Sequence, residues 1–392
     1  MPRMPTIWYV ARDDIRYRIP LLRVLRRRGF SVGAVGSEPS EPFDRHGIPY
    51  WYYPIRRGLN PKTDLQALRR LRNLLSHHKP DVVHAFNTKP CLFAPVAAQQ
   101  AGISVCVRTI TGMGYAFSSN SPVAMALRPV YRFIQKRTSA ATQFTIFQNP
   151  DDREYFRTHA MVPEGRDALV LSSGIDVTDF IEQCPDQKAL DELRQSLGLG
   201  GKIVVTMIAR LMKTKGVLDY MRAAATICRQ RRDVAFLLIG PEAGGGPQTV
   251  SVSAVNRASS VRYLGRRDDI AALLGISDLF VLPTFLREGV PRVLLEAGAS
   301  RLPMITTDLP GCKEVVRDGW NGRLVPPRNG RALVEAVRSL LASPDQRREM
   351  GVRSHLWVRD NFSLDYVADA YADIYIRALG WGDERIAFRR SA

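Results

Sequence analysis

Short apolar runs alternate with amphipathic stretches along most of the chain. In the first half, strand-like runs rich in β-branched and aromatic residues lie at 6–11, 31–37, 81–86, 105–111, 139–147 and 168–174. Stretches with apolar residues at helical spacing lie between them, at 19–29, 64–80 and 91–102. Strands that alternate with helices in this way are typical of parallel βαβ units. The first half therefore predicts a doubly wound parallel sheet.

The alternation stops at 180–202, where the chain is polar and contains Pro and Gly, and then starts again. Further strand-like runs follow at 202–209, 234–240, 261–265 and 279–284. A chain of 392 residues also exceeds what one hydrophobic core usually serves. We therefore predict an α/β protein with two Rossmann-like domains, 1–180 and 181–365, whose parallel sheets face each other across a cleft. In open sheets of this kind ligands bind beyond the carboxyl ends of the strands, so the cleft is the expected site.

The composition indicates a folded protein without a membrane span. Hydrophobic residues make up 45% and charged residues 24% of the chain. The longest apolar runs, such as 234–240, are far shorter than the roughly 18–20 residues that a spanning helix needs. The N-terminus lacks the pattern of a signal peptide. Five single cysteines, an odd number with no pair at metal-binding spacing, indicate reduced thiols in a cytoplasmic protein.

The chain has a net charge of +18, and the excess is larger in its first half. Residues 1–180 contain 25 Lys and Arg against 14 Asp and Glu. Such a surplus attracts polyanions, and the candidates are a nucleic acid, an anionic membrane surface or a phosphorylated substrate. A basic composition that merely reflects an arginine-rich proteome is the alternative.

The segment EGVPRVLLE, residues 288–296, places two glutamates around a turn that follows a strand-like run. Pro291 fits the first position of a helix, and the backbone N–H groups that follow it would form an anion-binding site. Gly289 lets a ligand approach the backbone, and Glu288 and Glu296 then suit sugar hydroxyls rather than the anion. The alternative is an ordinary surface helix whose dipole favours a carboxylate in its first turn.

Two basic residues follow the first strand of the second half. Arg210 and Lys215, in ARLMKTKG, would lie at the same edge of the sheet as 288–296. Fixed cations at this edge would neutralise a leaving diphosphate. A solvated basic loop is the alternative.

Together these segments resemble a known family. IARLMKTKG, VAFLLIGPE, VRYLG and LPTFLREGVPRVLLEAGASRLPMITTDLPGCKEVVRDGWNGRLVPP resemble the donor half of the family 4 glycosyltransferases, which have the GT-B fold. In the first half, PDVVHAFNTKP, TITGMGYAF, IFQNPDDREYF and SSGIDVTDF resemble the subgroup that extends lipid-linked glycans in bacteria. The resemblance covers roughly residues 6–375, and it implies a C-terminal helix, 366–392, that crosses back to the first domain.

The resemblance implies a role for each donor-side residue. Arg210 and Lys215 would hold the nucleotide diphosphate, Glu288 the hydroxyls of the donor sugar, and Glu296 the ribose hydroxyls. Arg210, Lys215 and Glu288 are the catalytic candidates. The backbone beside the sugar would come from Gly289, Val290 and Pro291. The family retains the anomeric configuration and needs no metal or other cofactor, and no Asp-x-Asp pair occurs in this chain.

The acceptor side departs from many relatives. Where these carry a histidine after the strand VCVRTI, this chain has Thr111 and Gly112, as the lipid-linked subgroup does. Arg18 and Lys89 are candidates for an acceptor diphosphate.

Two further acceptor-side candidates have structural alternatives. We expect His84 to end a strand at the cleft mouth, where it either orients a substrate or merely caps the strand. Asn149 either faces the site or holds its own turn through its side chain.

The segment 121–137 combines apolar residues with four cations. It either lies on an anionic membrane or packs its apolar stripe into the core, and we expect core packing.

The expected function is a retaining, metal-independent transferase. It would move a hexose or N-acetylhexosamine from a nucleotide sugar, UDP-linked, to a polyprenyl-diphosphate-linked saccharide during surface glycan synthesis. We expect it at the inner face of the plasma membrane, peripherally bound to anionic lipid, with no nucleic acid partner. The alternatives are a sugar-nucleotide epimerase of the same fold and a basic nucleic-acid-binding protein.

Overall fold

The strand-like runs form two separate parallel sheets, one in each half of the chain. A computed structural model describes residues 4–56, 60–113, 117, 121–287 (of residue 123 the backbone only) and 289–381. The chain divides into two units. The first runs to Gly174 and includes the segment from Leu364 onward, and the second is Ile175–Ser363. The boundaries expected from the sequence were 180 and 365.

The first unit contains a sheet of seven described strands in the order β3-β2-β1-β4-β5-β6-β7. Every neighbouring pair is parallel. The strands are β1 (Thr6–Val10), β2 (Ser31–Gly36), β3 (Tyr50–Tyr52), β4 (Val82–Phe86), β5 (Val105–Ile110), β6 (Phe144–Phe147) and β7 (Asp167–Leu169). The short strand β3 was not expected from the sequence, because three residues are too few to show a strand pattern.

Helices connect these strands and cover the sheet. Among the described residues they are α1 (Ile19–Arg27), α2 (Glu41–Asp44), α3 (Pro61–His78), α4 (Thr88–Ala101), α5 (Pro122–Ala140) and α6 (Pro150–Thr158). Local sequence explains several ends. Asn60 caps α3 by accepting a hydrogen bond from the Thr63 N–H, and Gly102, with φ +72°, terminates α4.

Alternate residues of β1 enter two apolar cores, one on each face of the sheet. Ile7 and Tyr9 face one core and Trp8 and Val10 face the other. The last described helix completes the first of these cores with an apolar stripe whose members include Leu364, Val367, Tyr371 and Tyr375.

The second unit contains a smaller parallel sheet in the order β10-β9-β8-β11-β12-β13. Its described strands are β8 (Ile203–Ile208), β9 (Val234–Ile239), β10 (Arg262–Tyr263), β11 (Leu279–Leu282), β12 (Met304–Thr307) and β13 (Gly322–Val325). The described helices of the rest of the chain are α7 (Val177–Glu182), α8 (Gln187–Ser196), α9 (Val217–Cys228), α10 (Val252–Asn256), α11 (Ile270–Gly275), α12 (Arg292–Ala299), α13 (Gly330–Ala342), α14 (Pro344–Phe362) and α15 (Leu364–Ala378).

The prediction of two Rossmann-like α/β domains with parallel sheets is confirmed. Helix α15 belongs to the first unit, as its packing against α1 shows. Among the helices that the structure describes, none combines the length and apolar content that crossing a membrane requires.

Candidate functional site

The donor-side residues gather where the strand order of the second sheet reverses. Strand β8 lies between β9 and β11, so the chain leaves it in the opposite direction from that in which it leaves β11. Loops that diverge in this way leave a crevice at the carboxyl ends of the strands, where ligands of open α/β sheets bind. The loop after β8 contains Arg210 and Lys215, and the loop after β11 runs from Pro283 to the start of α12.

Backbone contacts tie these two loops together. The carbonyl oxygen of Thr214 accepts a hydrogen bond from the Phe285 N–H at 2.9 Å and another from the Thr284 hydroxyl at 3.2 Å. Gly216, with φ +78°, lies so close to Pro283 that a Cβ atom would be 2.0 Å from the Pro283 oxygen. Only glycine meets both requirements, since it lacks Cβ and tolerates positive φ. The structure thus brings the two predicted segments side by side.

The loop after β8 presents its cations at this edge of the sheet. The Arg210 side chain is exposed and follows β8 by two residues. Lys215 is half-buried and ends a short 3-10 turn, Lys213–Lys215. A further cation, absent from the candidates chosen from the sequence, belongs to Arg328, whose guanidinium lies 4.5 Å from the centroid of the Phe285 ring. Nothing in the local sequence around Arg328 indicates this contact.

Helix α12 begins one residue later than expected. Pro291 is the residue before the first helical position, with an extended ψ of 119°, and not the first residue of the helix. No acidic residue lies in the first turn, so the preference of the helix dipole for a carboxylate in that turn does not account for Glu296. Gly289 and Val290 precede the helix, whereas Glu288 lies outside the described residues.

Glu296 lies in the second turn of α12 and is largely buried, with 13% of its side chain exposed. Its carboxylate accepts a hydrogen bond from Arg292 Nε at 2.8 Å. Burial raises the pKa of this carboxyl above its usual range, and Arg292 partly offsets the rise. Arg292 sits at the positive end of the helix, where a cation is unfavourable. A largely buried carboxyl with a raised pKa is a feature that this helix shares with many binding sites.

In the first unit the strand order reverses between β1 and β4, and a polar cluster lies at the carboxyl ends of these two strands. Arg18 is buried and donates from Nη1 to the Asp14 carboxylate at 3.0 Å. Asn87 donates to the same carboxylate at 3.0 Å. Burial by itself would raise the pKa of Asp14, but Arg18 and Asn87 outweigh it and hold the pKa below its usual value.

Two features of this cluster suit a binding role for Arg18. Its guanidinium lies 4.2 Å from the centroid of the Phe86 ring, and its Nε has no hydrogen-bond partner although it is buried. Asn87 has φ +69°, a strained backbone for a residue other than glycine. Asn87 was not among the candidates chosen from the sequence, although it lies only two residues before Lys89, which was.

The expectation that His84 ends its strand is wrong. His84 lies in the middle of β4 and is completely buried. Its Nδ1 shares a hydrogen bond with the Tyr375 hydroxyl at 2.5 Å, and its Nε2 shares one with the Thr109 hydroxyl at 2.7 Å. Burial lowers the pKa of His84 well below its usual value, and the nearby charge of Arg18 adds to this effect. His84 therefore links α15 to the sheet as a neutral core residue and does not reach the loops.

The remaining acceptor-side candidates differ in whether their polar groups are already engaged by neighbouring residues. Lys89 forms an ion pair with Asp64 at 2.6 Å, with both side chains 15% exposed, so its charge is already balanced. Asn149 is buried and caps α6 by accepting from the Asp152 N–H at 2.7 Å, which is the structural alternative given above. Thr111 and Gly112 directly follow β5, and Gly112 has φ +128°.

The described residues contain no group of three or more His, Cys, Asp or Glu side chains that could hold a metal ion.

Two family models match the chain, one in each unit. The model described as Glycosyl transferase 4-like domain matches residues 16–170, and the model described as Glycosyl transferases group 1 matches residues 190–357.

Characterised relatives extend over most of the chain. It is 26% identical over 368 residues to the N,N'-diacetylbacillosaminyl-diphospho-undecaprenol alpha-1,3-N-acetylgalactosaminyltransferase of Campylobacter jejuni, covering 93% of this chain and 95% of the relative. It is 29% identical over 317 residues to the UDP-Gal:alpha-D-GlcNAc-diphosphoundecaprenol alpha-1,3-galactosyltransferase of Escherichia coli, covering 79% and 80%.

Solved structures share the fold. A glycosyltransferase from Rickettsia africae superposes with a TM-score of 0.78 at 17% identity, over 96% of this chain and 99% of that one. Anabaena HepE, crystallised with UDP and glucose, superposes with a TM-score of 0.75 at 16% identity, over 94% and 98%. Two Rossmann-like units of this kind, with both family models in place, define a glycosyltransferase of the GT-B fold. The chain belongs to the family 4 glycosyltransferases.

Proposed function

We propose that this glycosyltransferase moves a hexose or N-acetylhexosamine from a UDP-sugar to a polyprenyl-diphosphate-linked saccharide during surface glycan synthesis. The observation that carries the proposal is the pair of tied loops at the reversal point of the second sheet. One loop supplies Arg210 and Lys215, and the other leads into α12 and the buried Glu296. The Campylobacter and Escherichia relatives are named for transfer to diphospho-undecaprenol acceptors, which supports this acceptor class.

In this proposal, the two connected loops bind the different parts of the donor. A diphosphate beside Arg210 and Lys215 would have its growing negative charge balanced as the glycosidic bond breaks. The carboxylate of Glu296 would accept hydrogen bonds from the ribose hydroxyls. The carboxylate of Glu288 would accept hydrogen bonds from the hydroxyls of the donor sugar. Gly289, Val290 and Pro291 would let the sugar approach the backbone. The proposed reaction retains the anomeric configuration and uses no metal.

The acceptor would bind in the first unit. Arg18 has a buried nitrogen without a partner beside the reversal point of that sheet, and it suits an acceptor phosphate. Because the acceptor is lipid-linked, we place the enzyme at the inner face of the plasma membrane, bound peripherally to its anionic surface.

A transfer assay tests the proposal. The purified chain, mixed with bacterial membrane lipid and radiolabelled nucleotide sugars, should yield a chloroform-soluble product whose anomeric configuration matches the donor, with or without EDTA. Removing one charge-stabilising group should lower kcat about 10²- to 10³-fold, so Lys215→Ala should be nearly inactive. Lys213→Ala is the matched control, because Lys213 is an exposed lysine in the same turn.

Two outcomes would contradict the proposal. Equal activity of the Lys215 and Lys213 variants would remove the assigned role of Lys215. Interconversion of a nucleotide sugar without any acceptor would indicate an epimerase instead.

A further inference from the structure

Helix α5 exposes most of its large apolar side chains and buries several uncharged polar ones. The exposed fractions are 62% for Phe133, 54% for Met125, 53% for Val130, 43% for Leu127 and 39% for Ile134. The residues of α5 that are buried instead include Gln135, Thr138 and Ser139. The expectation that the apolar stripe of 121–137 packs into the core is therefore wrong.

A buried arginine explains why the polar side of α5 faces inward. Arg108, in the middle of β5, is completely buried. It donates from Nη1 to the Gln135 side chain at 2.7 Å and from Nε to the Thr145 hydroxyl at 3.0 Å. A buried charge must be hydrogen-bonded, so the helix turns its amide towards the sheet. The apolar residues on its opposite side are consequently left in water.

The exposed apolar side chains form a continuous surface. Leu127, Val130 and Ile134 follow one another at spacings of three and four residues, which places them in one row along the helix. Met125 and Phe133 lie in a second row with an exposed proline between them. A contiguous apolar surface of this kind on a protein exterior marks an interaction site, whereas single exposed apolar residues do not.

The charged residues of α5 itself are all positive. Helix α5 carries Arg128, Arg132, Lys136 and Arg137 and no acidic residue, and the whole stretch 82–150 contains six Lys or Arg and no Asp or Glu. Lys136 and Arg137 are exposed, and the Arg137 guanidinium lies 5.3 Å from the centroid of the Phe133 ring. Long basic side chains beside an apolar surface can extend to phosphate groups while their stems stay on the apolar side.

We propose that the outward side of α5, formed by Met125, Leu127, Val130, Phe133 and Ile134 and flanked by Lys136 and Arg137, docks on an anionic phospholipid bilayer. An amphipathic helix with aromatic and aliphatic residues on one side and cations at its border fits the headgroup region of such a bilayer. A second copy of the chain is disfavoured, because joining two of these surfaces brings like charges together. The choice of a bilayer as the partner rests on the proposed function, which has a lipid-linked acceptor. The identification of α5 as a docking surface rests on its exposed apolar residues and its positive charge.

Vesicle binding tests the proposal with the full chain. Co-sedimentation with vesicles of 70% phosphatidylcholine and 30% phosphatidylglycerol should exceed that with pure phosphatidylcholine at least tenfold. The double variant Val130→Ser, Phe133→Ser should reduce binding to the mixed vesicles at least tenfold. The variant Lys136→Gln, Arg137→Gln should reduce it mainly at low salt, because salt screens the attraction.

A matched control separates this surface from exposed apolar residues in general. Val352→Ser, Leu356→Ser changes a similarly exposed pair on α14, with 51% and 39% exposure, and should bind vesicles like the wild type. All these side chains are exposed, so the variants should fold with unchanged melting temperatures. The proposal would be overturned if the α5 variants bound vesicles as strongly as the wild type. It would also be overturned if, without vesicles, the wild type were a dimer and the α5 variants were monomers.

A second readout distinguishes this inference from the proposed function. If that function holds, the Val130→Ser, Phe133→Ser variant should lose sugar transfer in vesicles but retain it in detergent micelles, where no bilayer is needed. If no donor supports transfer but vesicle binding still depends on α5, the proposed function fails and the docking surface stands. Transfer that is equally fast for this variant in vesicles and in micelles would overturn the docking surface alone.

Discussion

Replacing Gly216 by alanine tests whether the close contact between the two donor-side loops builds the site. The new Cβ would lie 2.0 Å from the Pro283 oxygen, whereas such atoms essentially never come closer than 3.0 Å. The two loops must therefore separate by about 1 Å. Because this movement would stretch the 2.9 Å bond from Phe285 N–H to the Thr214 oxygen, the substitution should break it.

The expected cost has two parts. The positive φ of Gly216 costs an alanine about 1–2 kcal/mol, and the lost hydrogen bond with its unpaired carbonyl costs about 1–3 kcal/mol more. Gly201→Ala isolates the first part, because Gly201 has φ +66° and nothing within 4 Å of its added Cβ. A 1 Å displacement of positioning groups can lower function about 100-fold, so we expect UDP to bind about 10- to 100-fold more weakly.

Urea unfolding followed by circular dichroism and calorimetric titration with UDP measure the two effects. Gly216→Ala should unfold at a lower urea concentration than Gly201→Ala. It should also bind UDP more weakly than Gly201→Ala binds it. A milder variant, Thr284→Val, removes only the 3.2 Å hydrogen bonds of the Thr284 hydroxyl, and it should weaken UDP binding less. Identical midpoints and UDP affinities for the two alanine variants would refute the reasoning.

The remaining predictions concern two carboxylates, the largely buried Glu296 and the partly buried Asp14. Glu296→Gln should weaken UDP binding by about 1–2 kcal/mol, or 5- to 30-fold, because a neutral amide is a poorer acceptor for ribose hydroxyls. Since the pKa of Glu296 is raised on folding, its contribution to the free energy of unfolding is present at low pH and is lost as the pH rises through the folded-state pKa. Urea titrations from pH 4 to 8 should therefore show a smaller fall with pH for the variant, and parallel curves would contradict this. Asp14→Asn removes the carboxylate from the buried Arg18 and should cost about 2 kcal/mol, between the values for exposed and buried pairs, because a third of the Asp14 side chain is exposed. The pKa of Asp14 is lowered on folding, so this difference should begin to shrink below about pH 4 and be lost as the pH falls through the lower folded-state pKa. A difference that does not shrink in acid would show that the ion pair is not its source.

Much of the fold follows from the sequence alone. Runs such as 7–11 and 234–239 are apolar over their whole length, as expected of strands covered on both faces by helices. The spacing of Arg210, Lys215 and the 288–296 segment relative to the ends of their strands placed them at one edge of a sheet, because all strands of a parallel sheet end on the same side. These features depend on neighbours within a few residues, which sequence analysis can evaluate directly.

Tertiary structure decided the features that depend on distant partners. His84 is a core residue because the Tyr375 hydroxyl, 291 residues away in the chain, hydrogen-bonds to its ring. The charge of Lys89 is balanced by an ion pair with Asp64. The periodicity of α5 revealed an apolar side but not its direction, which the buried Arg108 set by drawing Gln135 inward. Periodicity records that a helix has two different sides, whereas which side is buried depends on the charges of the strand beneath it, and those are brought there only by folding.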